Sequence, residues 1–140
     1  MDKLKWDSSK TALWKLNKRV NTNRHKMHLN KEPFEKIKSG KKKIEVRLND
    51  EKRQKVKIGD TIIFSKLPDC KEKIKVKVTK LLYYNTFKEL YTDLPFELFG
   101  RKDKTLNYML KGTYEIYNKK SEEKYGVVGI KIEKMAVYSL

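Results

Sequence analysis

SGKKKIEVR, Ser39 to Arg47, packs a helix stop, the start of a strand and one acid among four cations into nine residues. Glycine is the residue that most readily takes the left-handed backbone conformation at a helix end, and Gly40 stands where such an end is needed. After it, Ile44, Val46 and Leu48 alternate with Lys43, Glu45 and Arg47, the period of a half-buried strand. With the apolar set on the core, Lys43, Glu45 and Arg47 share the other face, spaced about 6.5–7 Å apart. Lys42 falls at the helix-to-strand junction, where the turn at Gly40 can bring its ammonium to the same region. Glu45 is then ionised, because nearby opposite charges favour the charged form. Two readings stay open. One is a salt-bridge ladder on a wet surface, worth about 0–1 kcal/mol. The other is a polar site in which Glu45 orients Lys42 and Arg47 towards a phosphate or a base, or accepts a proton.

Working outwards from this stretch, Asn30 is a candidate N-cap and Pro33 suits a first helical turn, with Phe34 and Ile37 on one side. Beyond it, Asn49-Asp50 begins a turn, and Val56 and Ile58 lead through Gly59-Asp60 into the apolar strand Thr61–Phe64. KIKVKVTKLLYY is a third strand, with Ile74, Val76 and Val78 alternating with Lys73, Lys75 and Lys77. Thr86 caps a helix running through Leu90, and LPFELFG is a further helical turn. Leu106, Met109, Leu110 and Tyr117 mark a longer helix, weakened by Gly112. A last strand spans Val127 to Ile132. Strands joined by turns, with helices inserted early and late, predict a small α+β barrel.

The chain has 140 residues, enough for one domain with one core. Residues 1–24 read as a basic extension, either frayed or a short amphipathic helix through Leu13, Leu16 and Val20; residues 25–140 read as the domain. The formal net charge is +17, and it is uneven: residues 1–80 carry 25 Lys/Arg against 10 Asp/Glu, residues 81–140 carry 10 against 8. A basic face for a polyanion follows from that asymmetry. A compositional bias also explains it, since 30 of the 35 cations are lysine. No apolar run is long enough to cross a membrane, and the first residues lack the apolar region of a secretory signal. Cys70 is alone, so no internal disulfide forms and a cytoplasmic location is expected. His25 and His28 fall on opposite sides of a strand, remote from Cys70, so neither a metal site nor a cofactor is expected.

Lys73, Lys75 and Lys77, extended by Lys55 and Lys57, either follow a phosphate backbone or keep a sheet face wet and discourage edge pairing. Tyr83, Tyr84, Phe87, Tyr91 and Tyr125 serve as a stacking surface for bases or as core. Tyr84 is the aromatic expected beside the polar site around Glu45.

Gly40, Lys42, Glu45 and Arg47 stand at the spacing GxKxxExR, preceded by Pro33-Phe34 and Ile37. Val56-Lys57-Ile58-Gly59-Asp60, KVKVTKLLYY, Phe87 and Leu90 follow in order. From His25 to Lys134 this order resembles an ASCH domain. LPFELFGRKDKTL, YEIY and EEKYGVVGIKIE are similar to its bacterial stand-alone members. The resemblance implies a PUA-like β-barrel whose motif lies in a cleft for RNA or a nucleoside. It implies an RNA-binding protein of RNA metabolism or translation-associated regulation, with the motif residues Gly40, Lys42, Glu45 and Arg47 as ligand contacts; the residue pattern adds Lys43, on the same strand face, and Tyr84 as expected contacts. The alternative it implies is a hydrolase with Lys42 and Glu45 as catalytic residues, acting on RNA or on acetylcytidine. In the related acetylcytidine amidohydrolases the lysine maps onto Lys42, but the threonine nucleophile falls at Glu45. Their partner glutamate finds no counterpart near Arg101, Lys102 and Asp103, so the threonine chemistry does not carry over.

Overall fold

The computed structural model describes residues 23–139, so the helix expected around Leu13, Leu16 and Val20 lies outside the described residues. Strands β1 (Arg24–Leu29), β2 (Ile44–Leu48), β3 (Thr61–Lys66), β4 (Glu72–Tyr84) and β5 (Val127–Ser139) form one sheet in the order β1-β3-β4-β5-β2. β1 runs parallel to β3, and the other pairings are antiparallel. Between the strands lie α1 (Lys31–Lys38), α2 (Glu51–Gln54), α3 (Phe87–Asp93), a 3-10 turn (Phe96–Leu98), α4 (Leu106–Tyr114) and α5 (Lys119–Tyr125).

The period-two pattern of each strand builds two cores. Met27, Ile62, Phe64, Ile74, Val76, Val78, Val128 and Ile130 point to one face, where Phe34 and Ile37 of α1 cover them. Ile44 and Val127 point to the other, under Phe87, Leu90, Phe99 and Met109 of the helical layer. β2 and the adjoining halves of β4 and β5 are therefore sandwiched between layers.

The sheet does not close into the expected barrel. β1 and β2 are both edges, and no ladder pairs them. Each is short, and the link between them folds as α1, so the gap is spanned by a side chain: Arg47 Nη2 donates to the His28 carbonyl at 2.9 Å.

Other boundaries differ for local reasons. The helix expected through Tyr117 stops at Tyr114, because Asn118 caps a new helix, its side chain accepting from Ser121 N–H at 2.8 Å. α2 begins in the same way at Asp50, which accepts from Arg53 N–H. Lys55 and Lys57 lie in the turn after α2 rather than on a strand beside β4.

Candidate functional site

The path from α1 to β2 is set by Gly40. Its φ of +81° turns the chain, and the N–H groups of Lys41 and Lys42 both return to the Lys36 carbonyl, at 2.9 and 3.0 Å. Lys42 then bridges antiparallel to Phe99, and Lys43 N–H donates to the Leu98 carbonyl at 2.8 Å. The backbone carrying Lys42 is thus pinned on both sides before β2 starts.

Three charges meet there. Lys42 Nζ lies 2.9 Å from Glu45 Oε1, and Arg47 Nε donates to Glu45 Oε2 at 2.6 Å. Glu45 is only 4% exposed. The alternation read from the sequence holds, but the face it gives Glu45 is not wet. Glu45 pairs across the ladder with Ile130 and Arg47 with Val128, so both stand on the side of the first core. Burial by itself would push the Glu45 carboxyl up; the charges and hydrogen bonds of Lys42 and Arg47 outweigh it, and the group lies below the ordinary carboxylate value. Arg47 is held charged more firmly by the same pair: burial opposes its charge, and Glu45 more than compensates.

The trio lies on a cavity of about 640 Å³ between the β1 end, the β2 edge and the helical layer. Its walls are mostly aromatic and apolar, with Tyr91, Phe99, Tyr108, Met109, Ile116 and Tyr117 among them. Tyr91 is fixed by a 2.9 Å hydrogen bond between its hydroxyl and Thr113 Oγ1. The Tyr117 ring stacks on Phe87, centroids 5.3 Å apart at 21°. Burial pushes its phenol up, with Arg47 pulling the other way, and its hydroxyl has no hydrogen-bond partner among the described residues. At the rim, Arg101 grips Glu32 of α1 with two hydrogen bonds of 2.8 and 2.6 Å, its guanidinium 5.8 Å from the centre of the Tyr108 ring.

Lys42, Glu45 and Arg47 are therefore brought together, and Gly40 shapes the turn that does it. Lys43 is exposed and outside the cavity. Tyr84 lies outside it as well: it packs on the second core and donates to Asp93 Oδ2 at 2.6 Å. An alternation pattern shows that Tyr84 leaves the first core, but not that helices occupy the other side. Tyr117, Tyr108, Arg101 and His28 line the cavity without having been singled out as ligand contacts. The helical spacing of Leu106, Met109 and Leu110 placed a helix there, with nothing to say which of its neighbours face β2.

The trio carries a net positive charge beside an apolar wall, a combination chemically suited to an anionic group next to a flat ring. Both Glu45 oxygens are engaged, and a carboxyl held below its ordinary value is a weak proton acceptor.

The ASCH domain model matches residues 27–136. The crystal structure of hypothetical protein PH0355 is 41% identical, covering 80% of this chain and 99% of that one with a TM-score of 0.72. The solution NMR structure of protein PF0455 from Pyrococcus furiosus is 36% identical over 80% and 97% of the two chains, with a TM-score of 0.63. ASCH from Zymomonas mobilis shares the fold at 14% identity, over 82% and 72%, with a TM-score of 0.55. No curated protein matched the sequence. The expected likeness to bacterial members gives way to archaeal neighbours. The chain belongs to the ASCH domain family.

Proposed function

We propose that this protein binds RNA by taking an unpaired nucleotide into the cavity beside Glu45, and that it acts in RNA metabolism or translation-associated regulation. ASCH domains are generally connected with RNA binding. The observation that carries the reading is the buried Glu45 held between two half-buried cations at an aromatic-walled cavity. Glu45 holds the Lys42 ammonium and the Arg47 guanidinium in place, so neither cation loses side-chain freedom when a phosphate arrives. Tyr108 and Tyr117 offer ring faces and hydroxyls to a base that is not paired. In this reading residues 25–140 form the binding domain, and residues 1–24 are a basic extension to it.

A hydrolase reading gains no support from a Glu45 whose carboxyl is depressed and whose oxygens are both taken. Thr113, the aliphatic hydroxyl in the cavity wall, is tied to Tyr91.

The test is RNA affinity by fluorescence anisotropy for Arg47→Ala against Lys120→Ala, an exposed lysine on α5. A loss of tenfold or more at Arg47 with less than twofold at Lys120 is expected. Equal losses would reduce the binding to generic electrostatics and overturn the proposal. Cleavage of the RNA, or release of acetate from acetylated cytidine, would return the hydrolase reading.

A further inference from the structure

The helical layer covers only part of its side of the sheet. The register aligns Arg24, Thr61, Lys77 and Glu133 in one row across β1, β3, β4 and β5, Lys26, Ile63, Lys75 and Ala136 in the next, and His28, Ser65, Lys73 and Tyr138 in a third. Cross-strand partners share a face, and the buried members of these strands belong to the first core on the opposite face. No described helix is stacked on these rows; Ser65 is buried beneath the Lys73 side chain, whose ammonium donates to its Oγ at 2.9 Å, and Lys73 and Lys75 are half-buried. Arg24, Lys26 and Lys77 are exposed, and Tyr138 is 44% exposed.

Cations are concentrated on this face with little to offset them. On the α1 side Lys38 pairs with Glu72, and Lys66 with Glu35 and Glu72. Among the described residues, Arg24, Lys26, Lys73, Lys75 and Lys77 make no ion pair, and Glu133 is the carboxylate their rows contain. Protection against edge pairing does not account for the lysines either, because β4 is the middle strand of the sheet. Like charges about 6.5–7 Å apart along a strand repel, and a bound polyanion relieves that cost.

We infer that this uncovered face is a second contact surface, holding the phosphate backbone of the RNA strand whose nucleotide enters the cavity. It rests on the binding reading above and extends it to a separate surface. Lys73 to Lys77 spans about 13 Å along β4, the reach of two to three successive phosphates in an extended strand. The face is continuous with the cavity: His28 lines the cavity and stands in the same exposed set of β1 as Lys26 and Arg24. Tyr138, directly opposite Lys73, adds a ring beside the phosphate track. A second copy of the chain is a poor occupant, since two such faces repel. Residues 1–22 are a poor occupant for the same reason, with six Lys/Arg against two Asp/Glu.

The experiment measures binding of the full chain to a twelve-nucleotide single-stranded RNA across a salt series, and to uridine monophosphate at one salt. The variants are K73Q/K75Q/K77Q, the exposed pair K26Q/K77Q, and Arg47→Ala. Each phosphate contact in a single strand contributes about 0.7 to the slope of log affinity against log salt. K73Q/K75Q/K77Q is expected to lower that slope by about 2, and K26Q/K77Q by about 1.4, with uridine monophosphate binding unchanged. Cross-linking with a 4-thiouridine oligonucleotide is expected to mark the peptides holding Lys73–Lys77 or Tyr138. An unchanged slope in both lysine variants overturns the inference and leaves the cavity reading standing. Adducts confined to residues 1–22, or a dimer dispersed by the substitutions, also overturn it. A slope lost in the lysine variants with Arg47→Ala binding like the parent chain keeps the face and removes the cavity reading.

Discussion

Arg47 and His28 stand on opposite edge strands of the sheet, joined by a 2.9 Å hydrogen bond from the Arg47 guanidinium to the His28 carbonyl. The same guanidinium holds Glu45 at 2.6 Å, so one side chain both spans the open seam and pairs the buried acid. Arg47→Ala is expected to lower stability by about 3 kcal/mol, the scale for leaving a buried charge short of its partner. Arg47→Lys keeps the charge but lacks the planar fork that serves both bonds, and a loss of about 1–2 kcal/mol is expected. Urea unfolding of both variants checks the order.

Glu45 sets an acid limit on the fold. Its folded pKa lies below the ordinary value of 4.5, since Lys42 and Arg47 overcome the effect of burial. The unfolded chain therefore binds the proton more readily. Stability from ionised Glu45 is fully present above the unfolded value and is lost as pH falls through the folded one. Asp60, lowered from 3.8 chiefly by its hydrogen bonds to His25 and to the Asn23 and Lys57 N–H groups, which outweigh burial, acts in the same direction. Glu45→Gln is expected to be about 3 kcal/mol less stable near pH 7, and its urea midpoint should fall less steeply than the parent's between about pH 5 and pH 3. Parallel curves would mean that Glu45 does not carry the acid sensitivity.

Gly40→Ala tests the turn that delivers Lys42. No atom lies within 4 Å of where the added Cβ would sit, so the cost comes from the φ of +81°. A loss of about 1 kcal/mol is expected, seen as a drop of about 4 °C in melting temperature, together with weaker RNA binding as Lys42 shifts.

Tyr117→Phe separates binding from stability. The ring stack on Phe87 survives the change, and the hydroxyl has no described partner to lose. Stability is expected to stay within about 0.5 kcal/mol of the parent, with RNA affinity reduced severalfold. Unchanged affinity would place the bound nucleotide away from Tyr117.

Much of the fold is legible in the residue pattern where one face of an element is apolar. The alternation in Ile44–Leu48 and Lys73–Val78 gave the strands, Gly40 gave the end of α1, and Thr86 gave the cap of α3, accepting from Glu89 N–H. α2 and α5 escaped because neither carries an apolar stripe; each depends on a capping side chain and on tertiary contacts. Among the site residues, Lys42, Glu45 and Arg47 follow from spacing across one strand and its preceding turn. Burial of Glu45 does not, because it depends on elements distant along the chain, among them β5, whose Ile130 stands opposite it. Tyr84 shows the same limit from the other direction. Its position on β4 is evident from the pattern, but its hydrogen bond to Asp93 depends on where α3 packs.

The central claim is that a nucleotide sits against Lys42, Glu45 and Arg47. A backbone amide NMR titration of the full chain with a short single-stranded RNA measures this most directly. The largest shifts are expected within Gly40–Leu48 and Thr105–Tyr117, and they are expected to disappear in Arg47→Ala. Shifts spread evenly over lysines across the surface, with those two segments undisturbed, would contradict it.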